Sequence, residues 1–247
     1  MIEFAIIKHI NKLPNGTQLV LSLNTWRDSG MLDLITKLKN KLLFTRRQNA
    51  ELIWARVWED TKNGIDWLRD LPSISPGRWA VGYAYIYILT RVLNDFEPHR
   101  ILDIGLGISS SIISTYMKHQ SFNDSCHTIV EHDPEWISFY INNNKLSEAS
   151  KIETVKLTRK ELNGYSYAAY ENLGSVVQGK KYDFVSIDGP FGKTRYSRRD
   201  ILEFLPAILN NSFVIIIDDS ERQGEKATIS EIKTILTANN IEFCSST

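Results

Sequence analysis

The chain is 247 residues long, 43% apolar and 23% charged, the composition of an ordinary folded protein with material for a sizeable core. Its 29 basic and 29 acidic side chains cancel, so overall charge supplies no attraction for nucleic acid or an anionic membrane. Cys126 and Cys244 make neither a metal spacing nor a disulfide framework, Met1–Lys8 carries an early acid and no long apolar run, and Trp79–Leu93 is interrupted by tyrosines, a threonine and Arg91. The expectation is a cytoplasmic protein with reduced thiols, no signal peptide and no membrane span.

Residues 1–75 are rich in Lys, Arg, Asn and Trp and read as a helical N-terminal extension or lid. Asn15-Gly16 suits a tight turn between short strands. Leu32, Ile35, Leu38 and Leu42 recur three or four apart, which puts them on one helix face over Leu32–Leu43. Ile53, Trp54, Val57 and Trp67 do the same over Ala50–Leu68. The breaker cluster Leu71–Gly77 marks the boundary of a second unit, 76–247.

In that unit the spacing predicts a helix over Arg78–Asn94 and then alternating elements. Strands are expected at Arg100–Ile104, His127–Glu131, Lys151–Leu157, Tyr182–Ile187, Ser212–Ile217 and Ile241–Cys244. Helices are expected at Ser109–Lys118, Pro134–Asn144, Arg198–Leu209 and Thr228–Ala238. Such alternation implies an α/β fold: a Rossmann-like parallel sheet with helices on both faces, which binds ligands at the carboxyl ends of its strands.

The informative motifs fall at those ends. Asp103-Ile104-Gly105-Leu106-Gly107 leaves the first strand and runs into Ser109, Ser110 and Ser111. Glycines allow a sharp turn and close approach of a ligand, and the serines can cap the next helix. A plain strand-helix turn has the same needs. A nicotinamide site wants a third glycine where Ser110 stands. Glu131 ends the second strand, where a carboxylate can accept from both hydroxyls of a ribose, while Asp133 reads as a helix cap before Pro134. Asp188 ends the fourth strand, and Asp218 and Asp219 the fifth. Three carboxylates crowded together repel unless protonated or neutralised, and a hard cation such as Mg2+ would solve that; alternatively Asp218 and Asp219 simply cap the following segment. Lys193, Arg195, Arg198 and Arg199 form a basic run with Tyr196, either a solvated helix start or a holder for an anionic group.

Together these segments resemble class I S-adenosylmethionine-dependent methyltransferases over roughly residues 76–247. The resemblance implies that the loop with Asp103, Gly105, Gly107 and Ser109 holds the methionine part of S-adenosylmethionine and that Glu131 holds its ribose. The base would lie beside Thr158–Leu162. Asp188, Asp218 and Asp219 match the metal-ligand positions of metal-dependent O-methyltransferases of the catechol or sugar-modifying type. There a divalent ion lowers the pKa of an acceptor hydroxyl. Pro190 stands where the sugar-type enzymes carry a second acid, which leaves Asp188, Lys193 or Glu221 as candidate bases. Arg195, Arg198 and Tyr196 would meet the acceptor, expected to be a small-molecule or saccharide hydroxyl compound, anionic if the basic run binds it. Tyr165, Tyr167, Tyr170, Arg78, Trp79 and Tyr83 are candidates for lid or core.

In that family the sheet closes with a sixth and seventh strand in a hairpin, whereas this sequence stops at Thr247 as the sixth would finish. The expectation is a missing seventh strand, from omission or truncation, and an open edge that invites pairing with a second copy. A nicotinamide-dependent sugar-modifying enzyme and a catalytically degenerate cofactor-binding protein are the rival readings.

Overall fold

A computed structural model describes residues 45, 48–76, 81–120, 124–190, 195–196 and 198–246. The Asn15-Gly16 turn, the Leu32–Leu43 helix, Arg78, Trp79 and Lys193 lie outside these residues. The first helix, α1, covers 48–62, and a 3-10 turn follows at Asp66–Asp70. Then come α2 (Tyr83–Phe96), β1 (Arg100–Ile104), α3 (Ile108–Lys118), β2 (Cys126–Glu131), α4 (Pro134–Asn143) and β3 (Ser150–Thr154). They are followed by β4 (Leu157–Leu162), β5 (Tyr165–Tyr170), the short α5 (Gly174–Val177), β6 (Tyr182–Ile187), a 3-10 segment (Asp200–Phe204), β7 (Leu209–Ile217) and α6 (Gln223–Ala238). None of the described helices is long and apolar enough to cross a membrane.

The main sheet has five parallel strands in the order β3-β2-β1-β6-β7, a Rossmann-like arrangement whose order reverses between β1 and β6. A strand buried on both faces must be apolar on both, and the period of two divides its side chains between two cores. Leu102 and Ile104 of β1 point to one side, with Val185, Ile187, Ile215 and Ile217, where Ile229, Ile232 and Leu236 of α6 cover them. Ile101, Phe184 and Ile216 point to the other, beneath Tyr85, Ile86 and Leu89 of α2 and Ile112 and Ile113 of α3. Trp58, Trp67 and Leu68 join this second cluster, so 48–70 packs on the outer side of α2 and α3. The Glu51 carboxylate also accepts from the Tyr83 N–H at 2.9 Å, satisfying one of the orphan donors at the start of α2. At the amino ends of the strands, Asp183 accepts from His99 N and Arg100 N at 2.9 Å each and from the Asn210 amide, which ties β1, β6 and β7 together.

Four expectations need correction. The stretch after β3 is not a loop insertion but an antiparallel hairpin, β4–β5, turning at Asn163-Gly164 with φ of 50° and 77°. Positive φ at both central residues is the requirement of the two-residue hairpin turn that Asn-Gly favours. The helix expected over Arg198–Leu209 is only the 3-10 segment, because Leu205 precedes Pro206 and is held extended at ψ 144°, where helix cannot continue. The strand expected at Ile241–Cys244 is absent; residues 241–245 have no regular structure, and Ile241 and Phe243 pack by side chain against the α6 side of the core. The helix expected over Ala50–Leu68 ends at 62, ahead of Gly64 and the 3-10 turn.

The hairpin is docked by Asp200, whose Oδ2 accepts from Tyr170 N at 3.0 Å beside a small cavity lined by Lys160, Glu203 and Phe204. Burial pushes the Asp200 carboxyl up to about 6 against the lowering pull of the Tyr170 N–H and Lys160. An acid held above its unfolded value gives stability that is complete below about pH 4 and lost as pH rises through about 6. The loss is on the order of 2 kcal/mol. Asp200→Asn keeps an acceptor for Tyr170 N, so urea denaturation from pH 4 to 7 should show a flatter decline than wild type by about that amount. Parallel curves would contradict the assignment.

Candidate functional site

In the parallel ladders Ile104 lies beside Val130 and Ile187, and Ile187 beside Ile217. The loops leaving β1, β2, β6 and β7 therefore emerge at one sheet edge. At the switch point two of them touch. Ile104 O accepts from both Asp188 N at 2.8 Å and Gly189 N at 2.7 Å. Gly105 has φ +110°, and a Cβ there would stand 3.0 Å from Gly189 N. Both conditions demand glycine. A Cβ on Gly189 would in turn meet the Tyr170 hydroxyl at 2.6 Å, so the hairpin reaches the same point.

Asp103 lies below the loop, fully buried. Its Oδ2 accepts from Ser110 Oγ at 2.6 Å and faces Ser109 Oγ at 3.5 Å; its Oδ1 accepts from Ser186 Oγ at 2.8 Å. Tyr85 extends the chain with a 2.8 Å hydroxyl contact to Ser186. Burial, and then the Asp103 charge, push the Tyr85 phenol well up, so it remains a neutral donor. The carboxylate expected to meet a ligand ammonium is thus a tie between β1, α3 and β6, and buried Ser109 shares in it.

The loop is also held from above. Leu106 N donates to Glu131 Oε2 at 3.1 Å, and Leu106 O accepts from the Trp136 indole at 2.8 Å. Gly107 N donates to Ser110 Oγ at 3.1 Å, and Gly107 O accepts from the Tyr140 hydroxyl at 3.2 Å. Glu131 Oε1 accepts from His132 N at 2.6 Å and Asp133 N at 3.0 Å and lies 2.7 Å from His132 Nδ1. Burial raises the Glu131 carboxyl, but the His132 side chain and the three backbone N–H groups outweigh it and hold it below the usual range. The same pairing raises His132. Asp133 caps α4 as expected, accepting from Glu135 N and Trp136 N at 2.9 and 3.1 Å. Thr158–Leu162, expected beside a base, forms β4.

The aspartates come together: one carboxylate oxygen each of Asp188, Asp218 and Asp219 lie within 4.8 Å of one another. Burial and then the neighbouring acids Asp188 and Asp219 push Asp218 up to about 8. The donor chemistry suits a hard cation, but the Arg198 guanidinium already lies among these acids. Its Nη2 donates to Asp188 Oδ1 at 3.0 Å and Asp219 Oδ2 at 2.9 Å, and its Nη1 to the Asp218 carbonyl at 2.5 Å. Arg222 adds a 2.6 Å ion pair to Asp219. As arranged, the cluster is neutralised by arginine, and a metal does not fit without displacing Arg198. This also corrects the expectation that Arg198 meets an acceptor: its side chain is 3% exposed and its donors are engaged.

The other members of the basic run diverge. Arg199 makes a bidentate pair with Glu231 at 2.6 and 2.7 Å. Arg195 is exposed, 5.1 Å from the Tyr165 ring centre, and donates to the Tyr165 hydroxyl at 3.3 Å. Tyr196 is buried against Tyr167 and accepts from the Asn163 amide at 3.0 Å. Sequence reasoning missed Ser186, Tyr85, Trp136 and Tyr170. Ser186 was findable, since it lies next to Asp103 across the ladder and two residues before Asp188; the others carry no local signal.

No family model matches the chain, and no curated protein is similar to it. Among solved structures, it is similar to the O-methyltransferase from Bacillus cereus in complex with SAH, at 17% identity and TM-score 0.42, covering 72% of this chain and 78% of that one. It is also similar to the SAH-bound Podospora anserina methyltransferase PaMTH1, at 11% identity and TM-score 0.41, covering 92% and 98%. The Rossmann-like fold itself is evident from the sheet order of this chain.

Gly105→Ala should destabilise the protein by about 2 to 4 kcal/mol, combining a positive φ with a backbone clash. Gly107→Ala, with no atom within 4 Å of the added Cβ, should cost under about 1 kcal/mol. Chemical denaturation of the pair would overturn this if the two losses were equal.

Proposed function

We propose that this protein is an S-adenosylmethionine-dependent methyltransferase acting on a hydroxyl oxygen of a small acceptor, a saccharide or similar hydroxylated compound. One observation carries the reading. At the switch point of a doubly wound sheet, where such folds take their ligands, the glycine turn after β1 is braced by the acid ending β2 and abuts the acid after β6. Gly105, Gly107 and Ser109 would line the methionine part of the donor, with Asp103 acting through the loop it supports. Glu131 would take the ribose. Among the described residues its Oε2 accepts from Leu106 N alone, which leaves that atom room for a hydroxyl.

S-adenosylmethionine, when bound, supplies an electrophilic methyl group on a sulfonium sulfur. The acceptor oxygen attacks that carbon in line, the carbon–sulfur bond breaks toward sulfur, and the acceptor proton goes to a base. Asp188 is the first candidate: its side chain is 27% exposed, and burial raises its carboxyl toward the range useful for proton transfer. Lys193 is the second. Arg195, against Tyr165 and close to Tyr196, is the cation left to attract an anionic acceptor. No step is assigned to a metal, because Arg198 stands among its would-be ligands.

Calorimetry should show S-adenosylmethionine and SAH binding and no binding of NAD. Glu131→Gln should weaken SAH by about 10- to 100-fold, the worth of one to two hydrogen bonds to a charged group. Binding of NAD in place of SAH would replace this reading with the nicotinamide one. If radiolabelled methyl transfer to a panel of saccharides and polyols is absent while SAH binds, the chain is a cofactor-binding protein without this activity. Arg195→Ala should raise KM for anionic acceptors and leave neutral ones unchanged.

A further inference from the structure

Arg198 has an unusual setting. Its backbone sits at φ 58°, a region that non-glycine residues avoid at a cost of about 1 kcal/mol or more. Its long charged side chain is carried into the interior, which is costly unless the charge is met at close range. Here it is met on every side: Asp188, Asp219 and the Asp218 carbonyl at hydrogen-bond distance, and the Glu225 carboxylate 3.7 Å from Nε. A divalent ion bound by oxygens at about 2.0–2.6 Å would need these carboxylate oxygens turned toward itself. It would also stand beside a fixed positive charge in a poorly solvated place, where repulsion is strong.

We propose that Arg198 is the resident cation of this aspartate cluster, so that the wild-type protein takes no divalent metal there, and that removing the guanidinium opens a metal site formed by Asp188, Asp218 and Asp219. The geometry alone carries this, independently of the donor and acceptor assigned above. The guanidinium would do structurally what a metal does elsewhere: it holds three loop acids in one place, through the planar fork that suits carboxylates.

The test is titration of the full-length protein with Mn2+, followed by calorimetry and electron paramagnetic resonance. Wild type should bind no Mn2+ at this site, and Arg198→Met, close in volume and uncharged, should gain affinity by at least about tenfold, a gain abolished by adding Asp218→Asn. Arg198→Lys, which keeps the charge, should remain closed. Wild-type binding that is lost in Asp218→Asn would overturn the proposal, as would a folded Arg198→Met variant without gain. If Arg198→Met is unfolded in chelator, Mn2+ should restore its cooperative melting; failure to restore it also counts against the proposal. SAH binding by wild type in EDTA is measured in parallel. If SAH fails to bind, the methyl-donor reading falls while the Mn2+ result stands.

Discussion

Parallel pairing of β1 with β2 on one side and β6 on the other is the constraint from which the site follows. Because the strands run the same way and their last ladder residues align, each successive loop is delivered to the same edge. Residues 105, 131, 188 and 218 are far apart in the chain, yet none needs a special tertiary contact to find the others. The cost is that both faces of each strand must be covered, which the two apolar clusters do. Function is thereby confined to the strand ends, where the chain is free of that demand.

Polar groups enter this interior only where they are fully answered. Asp103 is accepted in the core because three serines surround it, and those serines belong to the loop helix and to β6. Removing any one partner would leave a buried carboxylate short of a donor, a costlier event than losing an ordinary hydrogen bond. The aspartates after β6 and β7 follow the same rule with a guanidinium in place of hydroxyls.

The sheet was legible because its signals are local. Arg100–Ile104 and Tyr182–Ile187 have the apolar runs and flanking turns that define buried strands, and both were located to the residue. The meeting of Asp188, Asp218 and Asp219 followed from strand order alone. The hairpin was also legible in principle, since Asn163-Gly164 separates two alternating runs, but its tyrosines drew the reading toward a lid. Arg198 was not legible. In sequence it is one of several basic residues in an apparent helix start, and only packing separates it from exposed Arg195. The final strand failed for another reason: Ile241 and Phe243 have strand-like alternation, but the core accepts such side chains from an irregular segment equally well.

The bracing of the glycine turn bears on the thermodynamics of recognition. Leu106 and Gly107 have both their N–H and C=O groups engaged by the protein itself. A molecule docking on this turn meets a surface whose shape is already set. It gains little from these four dipoles and loses little by freezing them, so the entropy of ordering is settled at folding rather than at binding. Selectivity at the turn then depends on steric fit to its contour, and directional hydrogen bonding falls to the carboxylate that closes β2.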